Sequence, residues 1–238
     1  MKKRQANLTS FYYNYLSAEE NDSRILDDNL HVSSLFNGCM REIYLVRKEK
    51  IETKRIVDPS TRWRWKLGKA VESVLRADFH QMGRFTETEV ELLDNDLKIQ
   101  GHADGRMGNG QLVEIKGMDK DLFKFTKNYP LPHHKFQLET CLALDKQKES
   151  GILFSATWSQ DKIPWRDIII NYNLKTWEIV KREVGILREA EAGGSIPNRI
   201  CQNENDRRAV ICPVRYQCFN LKSDAITKTI GEMLKEKV

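Results

Sequence analysis

The sequence predicts one α/β domain built around a β-hairpin, and three observations carry that reading. Residues 98–107 and 111–117 have the character of two strands, with Gly105, Gly108 and Gly110 supplying the turn between them. Strand-like stretches at 85–93, 152–158 and 167–172 are interspersed with helical apolar periodicity at 68–81, 133–144 and 177–192. A chain of 238 residues can also bury one good core. No window of about 18 apolar residues occurs, and Met1 to Ser10 lacks the apolar core of a signal peptide. A cytosolic protein without a membrane partner is therefore expected. The net charge of +5 is mildly basic and globular. There is no repeat and no phosphate-binding loop, since Gly68-Lys69 is followed by Ala70, so any motor must be another protein.

Met1 to about Leu30 is polar, with Phe11, Tyr12, Tyr13 and Tyr15 forming an aromatic cluster that predicts a short helix or docking arm over residues 1–32. Ser33-Ser34 then precede an apolar-periodic run at 35–45, as an N-cap should, although Gly38 weakens a continuous helix. Cys39, taken by itself, reads as a small buried hydrophobe. From Arg41 to Arg76 there are eleven cations against five carboxylates, an excess larger than the charge of the whole chain. Within this stretch Arg62-Trp63-Arg64-Trp65-Lys66 interleaves cations with rings, which suits a groove that follows phosphates while bases rest on aromatics. Arg41 is assigned to the same nucleic-acid face. The helix from Gly68 to Gln81 has Val71, Val74, Leu75 and Phe79 as its apolar stripe. Glu72 lies at the border of that stripe, a metal ligand if a cleft lies beside it.

The hairpin carries the chemistry. Side chains alternate along a strand, so Leu112, Glu114 and Lys116 share one face while Val113 and Ile115 take the other. Glu114 and Lys116 then sit roughly 7 Å apart at Cα, and Asp104, near the end of the neighbouring strand, can join them. Two carboxylates and an amine at a sheet end suit metal-assisted phosphodiester hydrolysis. Hard oxygens hold Mg²⁺ or Mn²⁺, and the lysine can orient water or stabilise charge on the transition state.

Beyond the hairpin, 118–128 places Lys120, Lys124 and Lys127 around Phe123 and Phe125, a second DNA-facing segment. Pro130 and Pro132 break the chain before a helix in which Gln137 and Cys141 share a face. Two strands follow with a turn around Asp161-Lys162, and then an amphipathic helix stopped by Gly193-Gly194. The polar tail holds Cys201, Cys212 and Cys218 and a last helix from about Ser223. Three cysteines with so little apolar company, five in a chain with no export signal, point to a bound metal rather than disulfides. On the residues alone the fourth ligand is Cys39, Cys141 or a histidine.

Taken in order, these blocks are an S-x(4)-C-x-R-x-x-Y segment (Ser34, Cys39, Arg41, Tyr44), a G-x-x-x-E helix (Gly68, Glu72), and the G-x-x-D and E-x-K strands. The helix opening at Gln137 and the terminal cysteines complete the series. The chain resembles the PD-(D/E)XK nuclease superfamily, and within it the RecB-like exonucleases that carry an iron–sulfur cluster. These include the fourth CRISPR-associated protein, the AddB nuclease domain and phage relatives. The resemblance implies a restriction-endonuclease-like mixed sheet flanked by helices, with a nuclease core at 33–195 and a cysteine region at 196–238 joined to it through Cys39. It implies Asp104, Glu114, Glu72 and the Ile115 carbonyl as ligands of Mg²⁺ or Mn²⁺, Lys116 as the catalytic lysine, and Gln137 as a DNA-binding or lysine-placing group. It further implies that Cys39, Cys201, Cys212 and Cys218 hold a [4Fe–4S] cluster, with Zn²⁺ as the lesser possibility.

The implied activity is a DNA exonuclease on single strands or ends, 5′→3′ favoured. It would work in phage recombination, repair or CRISPR adaptation, with helicase, recombinase or adaptation proteins as possible partners. The alternatives are a DNA-binding accessory subunit with a vestigial nuclease site, and a zinc-stabilised accessory subunit. This chain departs from the family pattern at Glu72, where histidine is common, and at Cys141, where tyrosine is usual. Its terminal spacing is C-x(10)-C-x(5)-C.

Overall fold

The computed structural model describes residues 8–17, 20–21, 28–51, 54–55, 58–126, 130–145, 149–158, 165–220 and 227–235. The expected turn at Asp161-Lys162, the side chain of Lys127 and the expected helix start at Ser223 lie outside these residues. The chain opens with α1 (Leu8–Ser17), β1 (Glu20–Asn21), β2 (Leu30–His31), α2 (Val32–Leu35), α3 (Met40–Glu49) and β3 (Lys54–Arg55). The centre follows as α4 (Pro59–Gln81), β4 (Phe85–Asp94), β5 (Ile99–Met107), β6 (Leu112–Met118), α5 (Lys120–Phe125) and α6 (Pro132–Asp145). It closes with β7 (Ser150–Thr157), β8 (Trp165–Asn171), α7 (Leu174–Glu191), α8 (Arg207–Val210), α9 (Arg215–Asn220) and α10 (Ile230–Lys235).

Six strands form one mixed sheet flanked by helices, as the resemblance implies. β4 runs antiparallel to β5, β5 to β6 and β7 to β8, while β6 and β7 are parallel. β2 adds to the start of β5 through Leu30↔Ile99, so the sheet begins inside the stretch expected to be an arm. β5 and β6 pair only at Gly105↔Val113 and Arg106↔Leu112. Beyond those pairs the two strands diverge, and the fork between them opens at Asp104.

β6 is covered on both faces, so its first four residues are all buried despite their alternating chemistry. Val113 and Ile115 pack with Phe85, Leu75, Phe79 and Phe154 on the α4 side. Leu112 faces the larger core with Phe136, Leu138 and Leu142 of α6 and Val180, Val184 and Leu187 of α7. Each of these fully buried aliphatic groups contributes about 2 kcal/mol by leaving water. Glu114 and Lys116 stand on Leu112's side, so the alternation that builds the core also aims the charged pair.

α4 starts at Pro59, not at Gly68. The Asp58 side chain accepts from the Thr61 N–H, and proline sits at the first turn, where its missing N–H costs nothing. The basic–aromatic run is thus the first half of this helix. α2 and α3 are separate, since the backbone at Cys39 is extended (φ −103°, ψ 111°), and the turn before it packs Gly38 so closely that a Cβ there would lie 2.8 Å from the Ser34 carbonyl oxygen. Cys39, rather than either serine, occupies the N-cap of α3.

Arg106 donates to both oxygens of Asp145 at 2.9 and 3.0 Å, tying the hairpin to the end of α6. The carboxylate is almost wholly shielded, with 6% side-chain exposure. Asp145→Asn should therefore destabilise the protein by about 2 kcal/mol. Urea denaturation checks this, and an unchanged midpoint would remove the pair from the account of the fold. At the other end, Ile230 enters the main core and the Gly231 N–H donates to the Phe36 carbonyl at 2.9 Å. The C-terminal region is therefore joined to the core at Phe36 as well as near Cys39.

Candidate active site

The fork between β5 and β6 opens into a cleft with two lobes. One, a cavity of about 490 Å³, is lined by Glu72, Arg76, Glu89, Glu91, Asp104, Glu114, Lys116 and Gln137, among others. The other, of about 640 Å³, is lined by Arg64, Trp65, Lys69, His133, His134 and Trp158, among others. Glu72 and Lys116 line both and form the ridge between them.

The geometry at the ridge is tight. Lys116 Nζ lies 2.5 Å from Glu114 Oε1, and Glu114 is 2% exposed. The Ile115 N–H donates to Asp104 Oδ2 at 2.7 Å, so the aspartate takes the hydrogen bond that a continuous ladder would have used. Of Ile115 it is the N–H that the structure records as engaged; its side chain belongs to the core under α4. Glu72 reaches across from α4 and accepts from the Gly117 N–H at 3.4 Å. That reach depends on a glycine-to-glycine approach, in which a Cβ at Gly117 would lie 2.6 Å from the Gly68 oxygen.

Arg76 was not among the predicted site residues. Its Nη1 lies 3.0 Å from Glu89 and 3.5 Å from Asp104, holding the fork from the outside. The signal was available, since Arg76 follows Glu72 by four positions and shares its helix face. Glu89 has φ of 53° within β4, in the left-handed region that a glutamate seldom occupies. It lies between the pairs Thr88↔Gly105 and Val90↔Ala103, across from Asp104.

Burial dominates the electrostatics of the smaller lobe. Burial raises the Glu114 pKa to about 7, and Asp104 and Glu72 add to the rise against the opposing pull of Lys116. Asp104 is raised by burial although the Ile115 N–H, Lys116 and Arg76 pull it down. Glu72 is raised by burial and by Asp104, with Lys116 opposing. For Lys116, burial works against the charged amine, but Glu114, Glu72 and Asp104 outweigh it and hold the pKa above its ordinary value. His134 is pushed down to about 3 by burial, Lys116 and His133, and so stays neutral.

The nucleic-acid face predicted from sequence divides. Arg64 and Trp65 line the larger lobe. Trp63 meets the Tyr12 ring edge-on at 6.0 Å, and Lys66 lies 3.2 Å from the Tyr15 hydroxyl, so both face α1. Arg62 is buried at 6% exposure, and Lys124 is exposed on α5. Arg41 is a correction. It is fully buried, and its first-turn position on α3 turns it inward, away from any nucleic acid.

Cys39, Cys201, Cys212 and Cys218 line one small cavity between α3 and the C-terminal helices, and Cys141 lies apart in the main core. Burial raises all four thiols, Cys201 to about 11 and Cys212 to about 12. In the positions shown, the described residues contain no group of three or more His, Cys, Asp or Glu side chains close enough to hold a metal ion. No described helix is long and apolar enough to cross a membrane.

No protein-family model matches the sequence, and no curated protein is detectably similar to it. In three dimensions the chain is similar to the alkaline exonuclease LHK-Exo from Laribacter hongkongensis. The TM-score is 0.57 at 18% identity, covering 77% of this chain and 93% of that one. The same enzyme in complex with dAMP gives 0.54 at 18%, over the same shares of both chains. A third structure, SSO0001, is 23% identical over 89% of this chain and 99% of its own, but its TM-score of 0.49 carries no weight. At these identities the likeness is one of fold.

Proposed function

We propose that this protein is a DNA nuclease of the PD-(D/E)XK type that requires Mg²⁺ or Mn²⁺ and acts on single strands or DNA ends. The observation that carries the reading is the convergence of Glu72, Asp104, Glu114 and Lys116 from three elements on the ridge of one cleft. By type the donor set suits a hard cation, and the carboxylates, which as placed do not close on one point, would draw together on it. The set is all oxygen, and five carboxylates line the lobe against Arg76 and Lys116, with the Glu72, Asp104 and Glu114 carboxyls pushed up chiefly by burial. Asp104, Glu114, Glu72 and the Ile115 carbonyl would hold the ion. When bound, it would polarise a phosphate oxygen and lower the pKa of a water.

The protein's own groups do the rest. Lys116 stays protonated, so it serves as a donor to the developing charge on phosphate and not as a base. Arg76 holds Asp104 in the fork, and Gln137 faces the lobe where a scissile phosphate would lie. Arg64, Lys69 and Trp65 offer a path for the strand, with cations for phosphates and a ring for a base. The fold shared with an alkaline exonuclease favours end-directed cleavage over binding alone, and a 5′→3′ direction is the one the family resemblance favours.

The four cysteines belong to this proposal as the ligands of a structural metal centre, a [4Fe–4S] cluster before Zn²⁺. Their shared cavity joins residues from opposite ends of the chain. Burial keeps them neutral as free thiols, and a bound metal would draw them to thiolates.

Digestion of 5′- and 3′-labelled oligonucleotides, single- and double-stranded, tests the activity. Stepwise shortening from an end is expected with Mg²⁺ or Mn²⁺ and none in EDTA. Binding without hydrolysis under either ion would favour an accessory subunit with a vestigial site. A pH dependence follows as well. Glu114 keeps its proton below about 7 and must lose it to act as a ligand, so Mg²⁺ affinity should rise between about pH 6 and 8. Calorimetry in two buffers should find proton release approaching one per ion at the acid end. An affinity independent of pH would contradict the ligand role of Glu114.

A further inference from the structure

We infer that Arg41 is the internal counter-charge of an anionic centre held by Cys39, Cys201, Cys212 and Cys218. The inference rests on the reading that these cysteines bind a metal centre. Arg41 has 0% exposure, and its Nε, Nη1 and Nη2 are all buried with no hydrogen-bond partner. Among the described residues no carboxylate hydrogen-bonds it. The buried glutamates are matched, Glu114 by Lys116, Glu139 by Lys135 and Glu183 by Arg182, and of the other arginines with an unpartnered nitrogen each has only its Nε so placed.

A guanidinium cannot escape burial by losing its proton, as a lysine can. An uncompensated charge of this kind costs several kcal/mol. One turn on from Arg41, Leu45 and Val46 of α3 pack with Val214 and Cys218 of the facing segment. The nearest acid by sequence, Glu42, does not hydrogen-bond it either. Cys218 is the ligand that this packing brings to the Arg41 face of α3.

Neutral thiols leave this cation unmatched. Four thiolates around a divalent ion or an iron–sulfur core carry net negative charge and would match it. Arg41 sits two residues after Cys39, in the first turn of the helix that Cys39 caps, so cation and ligand arrive on one element. A fixed positive charge in a poorly screened interior favours the more negative state of a redox centre and raises its potential. Partners just outside a metal's ligands also govern its retention.

The test compares full-length wild type, R41M and R41K, purified without oxygen from cells supplied with iron and zinc. Iron and zinc per chain, the rate of metal loss to a chelator and, for iron-containing protein, the reduction potential are measured. R41M should lose metal about tenfold faster than wild type and show a more negative potential. R41K, which keeps the charge, should fall between them. Wild type loaded while R41M matches it in both retention and potential would overturn the role of Arg41 and leave the centre standing. Wild type without metal would overturn the centre, and this inference with it. Should R41M not be recovered, R41Q is read the same way, and recovery of loaded protein from R41K alone supports the requirement for charge.

Discussion

Lys116→Met should cut the rate of DNA hydrolysis by about a hundred- to a thousand-fold, the range seen when one donor to a developing charge is removed. Asp104→Asn should do the same by weakening the ion's ligand set. Lys116 is the only cation within salt-bridge distance of Glu114 among the described residues, at 2.5 Å, and its raised pKa keeps it charged at any working pH. Removing it has a second consequence. A carboxylate with 3% side-chain exposure loses its cation, which costs about 3–5 kcal/mol when the carboxylate is ionised.

The sign of the pH dependence follows from Glu114. Its folded-state pKa is raised to about 7, so the protonated form predominates below that value and needs no cation. The stability penalty of Lys116→Met should therefore be large above about pH 8 and shrink as pH falls through 7 towards the ordinary carboxylate range. Single-turnover digestion with Mg²⁺ and urea unfolding at pH 5.5 and 8.5 read the two effects separately. A variant that degrades DNA at the wild-type rate would remove Lys116 from the reaction.

Gly117→Ala should lower both stability and activity although no functional group is touched. Its Cβ would have to lie 2.6 Å from the Gly68 oxygen, 2.9 Å from the Gly68 Cα and 3.0 Å from the Val71 Cβ. None of these atoms is the free end of a flexible side chain, so α4 must move away from β6. Overpacking of this kind costs about 1–3 kcal/mol, and a backbone obstacle puts it at the upper end. Glu72 moves with the helix and leaves the Gly117 N–H, so affinity for Mg²⁺ should fall as well. Gly185→Ala in α7 is the control. Nothing lies within 4 Å of its added Cβ, and helix propensity predicts a gain of up to about 1 kcal/mol. Equal melting temperatures for the two variants would contradict the close approach of α4 and β6.

Much of this site is legible without coordinates, for a reason visible in particular residues. Glu114 and Lys116 are two apart on a strand, and a period of two is a local rule, so their common face follows from spacing alone. Gln137 and Glu72 were within reach too, because a helix bordered by apolar positions shows which of its polar residues face the seam. Arg41 was misplaced for an equally physical reason. Charge concentration marks a surface on average, and nothing local distinguishes the arginines that turn inward, Arg41 and Arg62. The first half of α4 was missed because its tryptophans interrupt the apolar stripe, although Asp58 and Pro59 signalled a helix start.

By itself, then, the sequence determined the order of strands and helices, the hairpin, and the face shared by its acid and its amine. These depend on backbone periodicity and turn chemistry, which act over a few residues. Only the tertiary structure decided that Glu72 and Arg76 reach the fork, that Arg41 is enclosed, and that cysteines from both ends of the chain line one cavity. Those outcomes depend on how distant surfaces dock, and the contact of Gly68 with Gly117 sets one such docking. Packing of that kind is a property of paired faces, which no single stretch of chain encodes.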